Sequence, residues 1–343
     1  METYKRMKAA LEPHFVRFQA VAQILAMGLA LRKNVLLWGP AGHGKSEMAI
    51  TALGAIFSAL ELYVLSLGEG TEAEAVWGDI DLEALHGGVD REGRPRPREI
   101  RYHLENSFLA KPVAVLEEFL NARPGLLMEL TDTLSAREFR KGSQRFPMKT
   151  QLVIGITNRS PAEMASLGPS EAALIERFPL QLEVKWSSYT RDDYWNLLGH
   201  VFPARVQDRP AVAELVARIL ALMAEKTGRP PSPRMAIHAF EVALASDGPE
   251  AALSDMGMVA GMGDLSAMAA DIEAAQKAAE AGKALGRIRE EALPKTPSTA
   301  TGLPASYSSV TCAATSGASS GAAVRSNILG GGSAQGSSRI PPS

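Results

Sequence analysis

Eight residues, "GPAGHGKS" from Gly39 to Ser46, carry three glycines, a lysine and a hydroxyl in the spacing G-x-x-x-x-G-K-S. That pattern suits a polyphosphate. Glycines at 39, 42 and 44 let the backbone turn tightly and approach phosphate oxygens, Lys45 can reach the β- and γ-phosphates, and the Ser46 hydroxyl can ligate Mg²⁺. The nucleotide-binding segment is therefore read as Gly39, Pro40, Ala41, Gly42, His43, Gly44, Lys45, Ser46 and Glu47. A second stretch, "VAVLEE" from Val113 to Glu118, sets two carboxylates directly after an apolar run. Charge at a strand end is often only solvated. Beside a phosphate loop, however, hydrolysis needs one acidic residue on the metal side and another group to polarise the attacking water. Glu117 is assigned the first role and Glu118 the second. Aspartate is the more usual metal-side residue, and Glu117, one methylene longer, could engage the ion through a water or with a shifted strand.

These groups must be held by strands and helices, and the chain supplies an alternation of the two. "FVRFQAVAQILAMGLAL" and "KSEMAITALGAIFSAL" have apolar residues at helical spacing, whereas "NVLLWG", "LYVLSL", "PVAVLEE" and "QLVIGITN" are short apolar runs of strand length. The phosphate segment follows one such strand and opens a helix, so backbone N–H groups at the helix start can converge on an anion. Strands separated by helices predict an α/β fold with a mostly parallel sheet. From about Ser187 the strand signals cease, and "RDDYWNLLGHVF", "PAVAELVARILALMAEKT" and "SPRMAIHAFEVALAS" predict three helices. The expected division is an α/β nucleotide-binding domain over 1–186, a helical lid over 187–255, a C-terminal helix within 256–294 and a disordered tail over 295–343. The last helix is placed from Leu265 to about Glu291, after the Gly/Met-rich "DMGMVAGMGD", whose methionines are read as packing. The tail, dominated by Ser, Gly, Ala, Thr and Pro, buries too little apolar surface to offset the entropy of ordering it.

The 343 residues are 46% hydrophobic, enough for a sizeable core, and a net charge of −2 gives no overall bias toward nucleic acid or anionic membrane. A single cysteine, Cys312, excludes an intrachain disulfide and a thiolate metal cluster. His86 and His103 are too isolated to form a metal site. With no apolar run of membrane-spanning length and no apolar leader segment, a soluble cytoplasmic protein with no membrane partner is expected.

In order and spacing, "LLWGPAGHGKSEMA", "VAVLEEFLNARPGLLMELTDTLSAREF", "IGITNRSP", "AALIERFPLQLEV" and "PSPRMAIHAFEVA" resemble the MoxR-like AAA+ ATPases, relatives of the cobalt- and magnesium-chelatase ATPase subunits. The resemblance covers about residues 12–250. It implies a P-loop AAA+ core with a small all-α lid, and ATP and Mg²⁺ as cofactors. It implies further that Asn158 is the polar sensor that positions water, that Arg177 is an arginine finger acting on the adjacent subunit, and that Arg234 is a second sensor on the γ-phosphate. Without the resemblance, Asn158 is an asparagine at a strand end, Arg177 a surface ion-pair partner for Glu176 or Glu171, and Arg234 a solvated arginine at a helix start. A homo-oligomeric ring, expected to be a hexamer, follows from the finger's role.

The long connection between the second strand and the double glutamate contains "DREGRPRPREIR", where relatives carry a hairpin facing a central pore. Such a basic loop could grip an acidic peptide or a nucleic-acid backbone, or be only solvated. Three function classes follow. One is an ATP-hydrolysing ring that remodels an unidentified protein partner, as a chaperone does, or aids metal or cofactor insertion. Another is a nucleic-acid-translocating or restriction-type motor, and the third a nucleotide-binding scaffold without turnover. Glu118, Asn158 and Arg177 argue against the scaffold, and "ITNRSPAEM" lacks the guanine-specifying sequence of the restriction motors. The remodelling ATPase is the reading adopted, with a von Willebrand A-type protein as the partner to look for.

Overall fold

Apolar residues three and four apart bury one face of each of the first two helices. Helix α1 (Glu2–Leu11) buries Met7 and Leu11, and α2 (Gln19–Leu31) buries Val21, Ala22, Leu25 and Gly28. The latter ends where Arg32 turns left-handed and its N–H caps the Gly28 carbonyl. The computed structural model then runs through β1 (Val35–Trp38), α3 (Lys45–Gly54), β2 (Leu62–Ser66), α4 (Ala73–Trp77), β3 (Asp79–Ile80), α5 (Leu82–His86), β4 (Tyr102–His103) and β5 (Val113–Glu117). A 3₁₀ turn at Phe119–Asn121 leads to α6 (Pro124–Ala136), the hairpin β6 (Glu138–Lys141) and β7 (Gln144–Pro147), β8 (Leu152–Thr157), α7 (Pro161–Ala165), α8 (Pro169–Ile175) and β9 (Leu180–Glu183). Helices follow: α9 (Arg191–Val201), α10 (Pro203–Asp208), α11 (Pro210–Thr227), α12 (Pro233–Ala245) and α13 (Pro249–Met256). The structure describes residues 1–273 apart from 88–91, 93, 95–97, 187–188, 248, 260–261, 264, 266–267, 269 and 272. All of them belong to one unit, Met1–Gly286.

Five strands form a wholly parallel sheet in the order β2-β5-β8-β1-β9. Its central strands are buried on both faces, as parallel strands covered by helices must be. Side chains alternate between two cores. Val35, Leu37, Val113, Val115, Leu152, Ile154 and Ile156 join α2 and α3 on one side, while Leu36, Ala114, Leu116 and Val153 join Leu126, Leu130 and Phe178 on the other. A third core, around Tyr194, Leu220 and Phe240, is made by the helices that follow the sheet and receives Val16 from the N-terminal segment.

The expected α/β core and its four apolar strands are present. The sheet also has a fifth strand, β9, which the apolar runs did not reveal because "LQLE" lies at an edge and is only partly buried. Helix α1 was likewise unanticipated, and five helices rather than three follow the sheet within the described residues. The expected insert hairpin has an antiparallel stem, β3 with β4, while half of the basic stretch 90–101 lies outside the described residues. So do the tail and most of the expected helix at 265–291. In the Gly/Met-rich stretch Met256 and Met262 are buried, and Met258 is exposed. Among the described residues no helix is long and apolar enough to cross a membrane.

One contact of this sheet bears directly on the site. Gly155, mid-strand in β8, lies under Phe119 and Phe178, and a Cβ there would stand 2.9 Å from the ring of the first and 3.1 Å from that of the second. These phenylalanines directly follow Glu118 and Arg177. Gly155→Ala is expected to destabilise the fold by about 1–3 kcal/mol through overpacking, measurable as a lower midpoint in urea unfolding with an unchanged slope.

Candidate functional site

Parallel strands aim their carboxyl ends at one edge of the sheet, and the strand order then decides which loops meet there. Because β8 lies between β5 and β1, and Glu117 and Trp38 stand level with Ile156 and Thr157, the segments following these three strands converge. They carry Glu118, Asn158 and the Gly39–Glu47 loop.

The loop wraps around the lysine ammonium. Lys45 Nζ donates to the Gly39 and Pro40 carbonyls, both at 2.8 Å, and to Asn158 Oδ1 at 2.9 Å. Asn158 Nδ2 in turn donates to Glu118 Oε1 at 2.7 Å, and Asn121 Nδ2 to Glu118 Oε2 at 3.3 Å. A continuous hydrogen-bonded line thus runs from the phosphate loop to the carboxylate proposed to polarise water. Only 6% of Lys45 is exposed. Burial pushes its amine down to about 8, a shift that Glu118 opposes and the nearby Arg234 guanidinium reinforces. Glu118 itself sits at φ 49°, ψ 30°, a left-handed conformation uncommon for its residue type. The turn points its carboxylate at Asn158 rather than continuing along β5.

The glycines answer specific crowding. Gly39 has φ 136°, and a Cβ there would fall 2.5 Å from the Val184 carbonyl oxygen, whose residue donates its N–H to the Trp38 carbonyl at 2.7 Å. Gly42, at φ 80°, lies against Ser232 and Arg234 at the start of α12. Pro233 occupies the first turn of that helix, where its missing N–H is harmless, and Ser232 caps it by accepting from the Met235 N–H. The Arg234 N–H donates to the Gly42 carbonyl at 3.3 Å. This holds the exposed Arg234 beside the loop.

His43 is buried, with Nδ1 3.1 Å from the Ala41 carbonyl and its ring edge-on to Trp186 at 5.7 Å. Burial lowers its pKa. Trp186 stacks on Tyr189, over which Arg17 lies, and Arg17 bridges to Asp193 on α9. Sequence reasoning did not single out this chain of contacts, because residues 17, 43, 186 and 193 share no local pattern.

Ser46, in the first turn of α3, and Glu117, the last residue of β5, are both partly exposed. Glu47, beside Ser46, is exposed. Among the described residues no group of three or more His, Cys, Asp or Glu could hold a metal by itself. One hydroxyl and one carboxylate are nevertheless the hard oxygen donors that fit Mg²⁺ when phosphates and water complete its shell.

Arg177 is not part of this cluster. Asn34 Nδ2 donates to the Arg177 carbonyl at 2.9 Å, and Asn34 immediately precedes β1, whereas Gly39 immediately follows it. Arg177 therefore lies at the amino end of the strands, opposite its own phosphate loop. It lines a cavity of about 540 Å³ together with Arg32, Lys33, Ser135 and Arg137.

The carboxyl edge of this parallel sheet thus gathers the glycine-rich Gly39–Glu47 loop, Glu117, Glu118 and Asn158. Residues 2–201 match the family described as the MoxR domain in the MoxR-vWA-beta-propeller ternary systems, and the chain belongs to that family. Among solved structures it is similar to a protein from Cytophaga hutchinsonii assigned as an ATPase, at 12% identity over 76% of this chain and 86% of that one, TM-score 0.43. It is also similar to S. cerevisiae Hsp104 in complex with casein, at 14% identity over 71% of this chain and 48% of that one, TM-score 0.47.

The lowered amine pKa has a measurable consequence. In the nucleotide-free protein Lys45 loses its proton as pH rises through about 8, while a bound polyphosphate favours the charged form. Affinity for ATP should therefore hold steady up to pH 7 and weaken above pH 8. Calorimetry in buffers of different ionisation enthalpy should show proton uptake rising toward about one per site above pH 9. Binding at pH 9 without proton uptake would mean that the amine is charged before the nucleotide arrives.

Proposed function

We propose that the chain hydrolyses ATP with Mg²⁺ in a ring of identical subunits, expected to be a hexamer, and uses the cycle to remodel a protein partner or to aid insertion of a metal or cofactor. The observation that carries this reading is the hydrogen-bonded line Lys45–Asn158–Glu118. It joins the group that would hold the terminal phosphates to the group that would take a proton from water.

On ATP binding, Lys45 exchanges the Gly39 and Pro40 carbonyls for β- and γ-phosphate oxygens. Asn158 and Glu118 then orient a water, which attacks the γ-phosphorus as its proton passes to Glu118 and the bond to the ADP oxygen breaks. Ser46 and Glu117 would hold Mg²⁺, which supplies charge stabilisation to the phosphates. Arg234 contacts the γ-phosphate of its own subunit's nucleotide. The helices of residues 187–255 act as the lid that brings it there, and its backbone bond to Gly42 supports that role.

Arg177 acts on the nucleotide of the adjacent subunit. Its place at the amino end of the strands supports a role in trans, since its own loop lies at the other end. Such an interface is heterologous and closes into a ring. The family's description, a MoxR domain in MoxR-vWA-beta-propeller ternary systems, supports a von Willebrand A-type protein and a β-propeller protein as partners.

Three substitutions test the roles. Lys45→Ala should abolish ATP binding. Glu118→Gln should bind Mg·ATP as the parent does and lose turnover by about a hundredfold or more, and Glu117→Asp should retain substantial activity. A dead Glu117→Asp beside a fully active Glu118→Gln would reverse the assignment. For the ring, hydrolysis per subunit should rise with protein concentration, and mixing Lys45→Ala with Arg177→Ala subunits should restore part of the turnover. A fully active monomer in sedimentation with ATP present would refute the trans arrangement.

A further inference from the structure

The cavity around Arg177 poses an electrostatic problem. Arg32, Lys33 and Arg137 line it alongside Arg177, and its single lining carboxylate among the described residues is Glu176. Glu176 lies 4.0 Å from the Arg177 guanidinium and its side chain is 76% exposed, so water screens most of that attraction. Like charges should drive a long, flexible arginine out into solvent.

A hydroxyl holds it instead. Arg177 Nε donates to Ser135 Oγ at 2.6 Å. The Ser135 hydroxyl proton is committed elsewhere, to the Thr131 carbonyl one turn earlier in α6, also at 2.6 Å. The oxygen therefore presents only lone pairs to the guanidinium. With the Arg177 carbonyl tied to Asn34 and Nε tied to Ser135, the terminal nitrogens keep, among the described residues, only the screened 4.0 Å contact of Nη1 with Glu176.

We propose that Ser135 is a positioning residue for Arg177, fixing the guanidinium so that its terminal nitrogens meet the phosphates of the nucleotide held by a neighbouring copy. The proposal rests on the trans role of Arg177 given above. It adds that this role depends on a helical hydroxyl remote from the subunit's own nucleotide. Helix α6 also begins at Pro124, just past the 3₁₀ turn that follows Glu118, so the rod carrying Ser135 is rooted beside the proposed catalytic carboxylate of its own subunit.

The test uses full-length protein. Ser135→Ala should lower kcat about tenfold, the worth of one hydrogen bond to a charged group, and leave the KM for ATP unchanged. Ser135→Thr, which keeps the hydroxyl at this exposed position, should restore most of the rate. In mixtures, Arg177→Ala subunits should be rescued by Lys45→Ala subunits and about tenfold less well by Lys45→Ala/Ser135→Ala subunits. Alanine is the better helix former, so a loss of rate would not reflect a weakened α6. If Arg177→Ala is defective while Ser135→Ala behaves as the parent in both assays, the positioning role is wrong and the finger stands. If Ser135→Thr is as slow as Ser135→Ala, the hydroxyl is not what matters, and the positioning role is again wrong. If Arg177→Ala is fully active, the finger fails and the positioning role fails with it.

Discussion

The buried ammonium of Lys45 organises the site. Moving a lysine charge out of water costs several kcal/mol unless oxygens replace the hydration shell. Here three do so: two carbonyls of the loop that Lys45 itself closes, and the side chain of Asn158 from a different strand. The loop must curl far enough to present those carbonyls, which requires positive φ at Gly39, Gly42 and Gly44. The strand order must also bring β8 beside β1. The lowered pKa of the amine reflects incomplete compensation of that burial.

The helices after the sheet are joined to this loop rather than merely appended. The Gly42 carbonyl accepts from the backbone of Arg234, His43 rests against Trp186, and the N-terminal segment contributes Val16 to the helical core and Arg17 to Asp193. The loop thus touches the start of α12 directly and reaches α9 through Trp186, Tyr189 and Arg17. Among the described residues the buried Tyr189 hydroxyl has no hydrogen-bond partner, and burial raises its pKa.

Strand direction separates two kinds of chemistry. Every strand of the sheet runs the same way, so loops that follow strands gather at one edge and residues that precede them at the other. Glu118, Asn158 and the phosphate loop follow strands, whereas Asn34 and Arg177 precede them. The chain consequently presents the Gly39–Glu47 loop on one edge and a cationic cavity on the opposite one, as the proposed head-to-tail contact between copies requires.

The sequence by itself determined the local features. The spacing of Gly39, Gly44, Lys45 and Ser46, the apolar runs that became β1, β2, β5 and β8, and the paired carboxylates after "VAVL" were all legible, because loop curvature and strand burial depend on neighbours within a few residues. Edge strand β9 escaped, since partial burial leaves no continuous apolar run, as did α1. Only the tertiary structure decided that Asn158 bridges Lys45 to Glu118, that Glu118 turns left-handed to meet it, that His43 lies against Trp186, and that Ser135 holds Arg177. Each of these joins residues tens of positions apart or more, or rests on a backbone turn that side-chain chemistry alone does not dictate. They exist because packing two cores against one parallel sheet fixes which strand ends and helix faces adjoin.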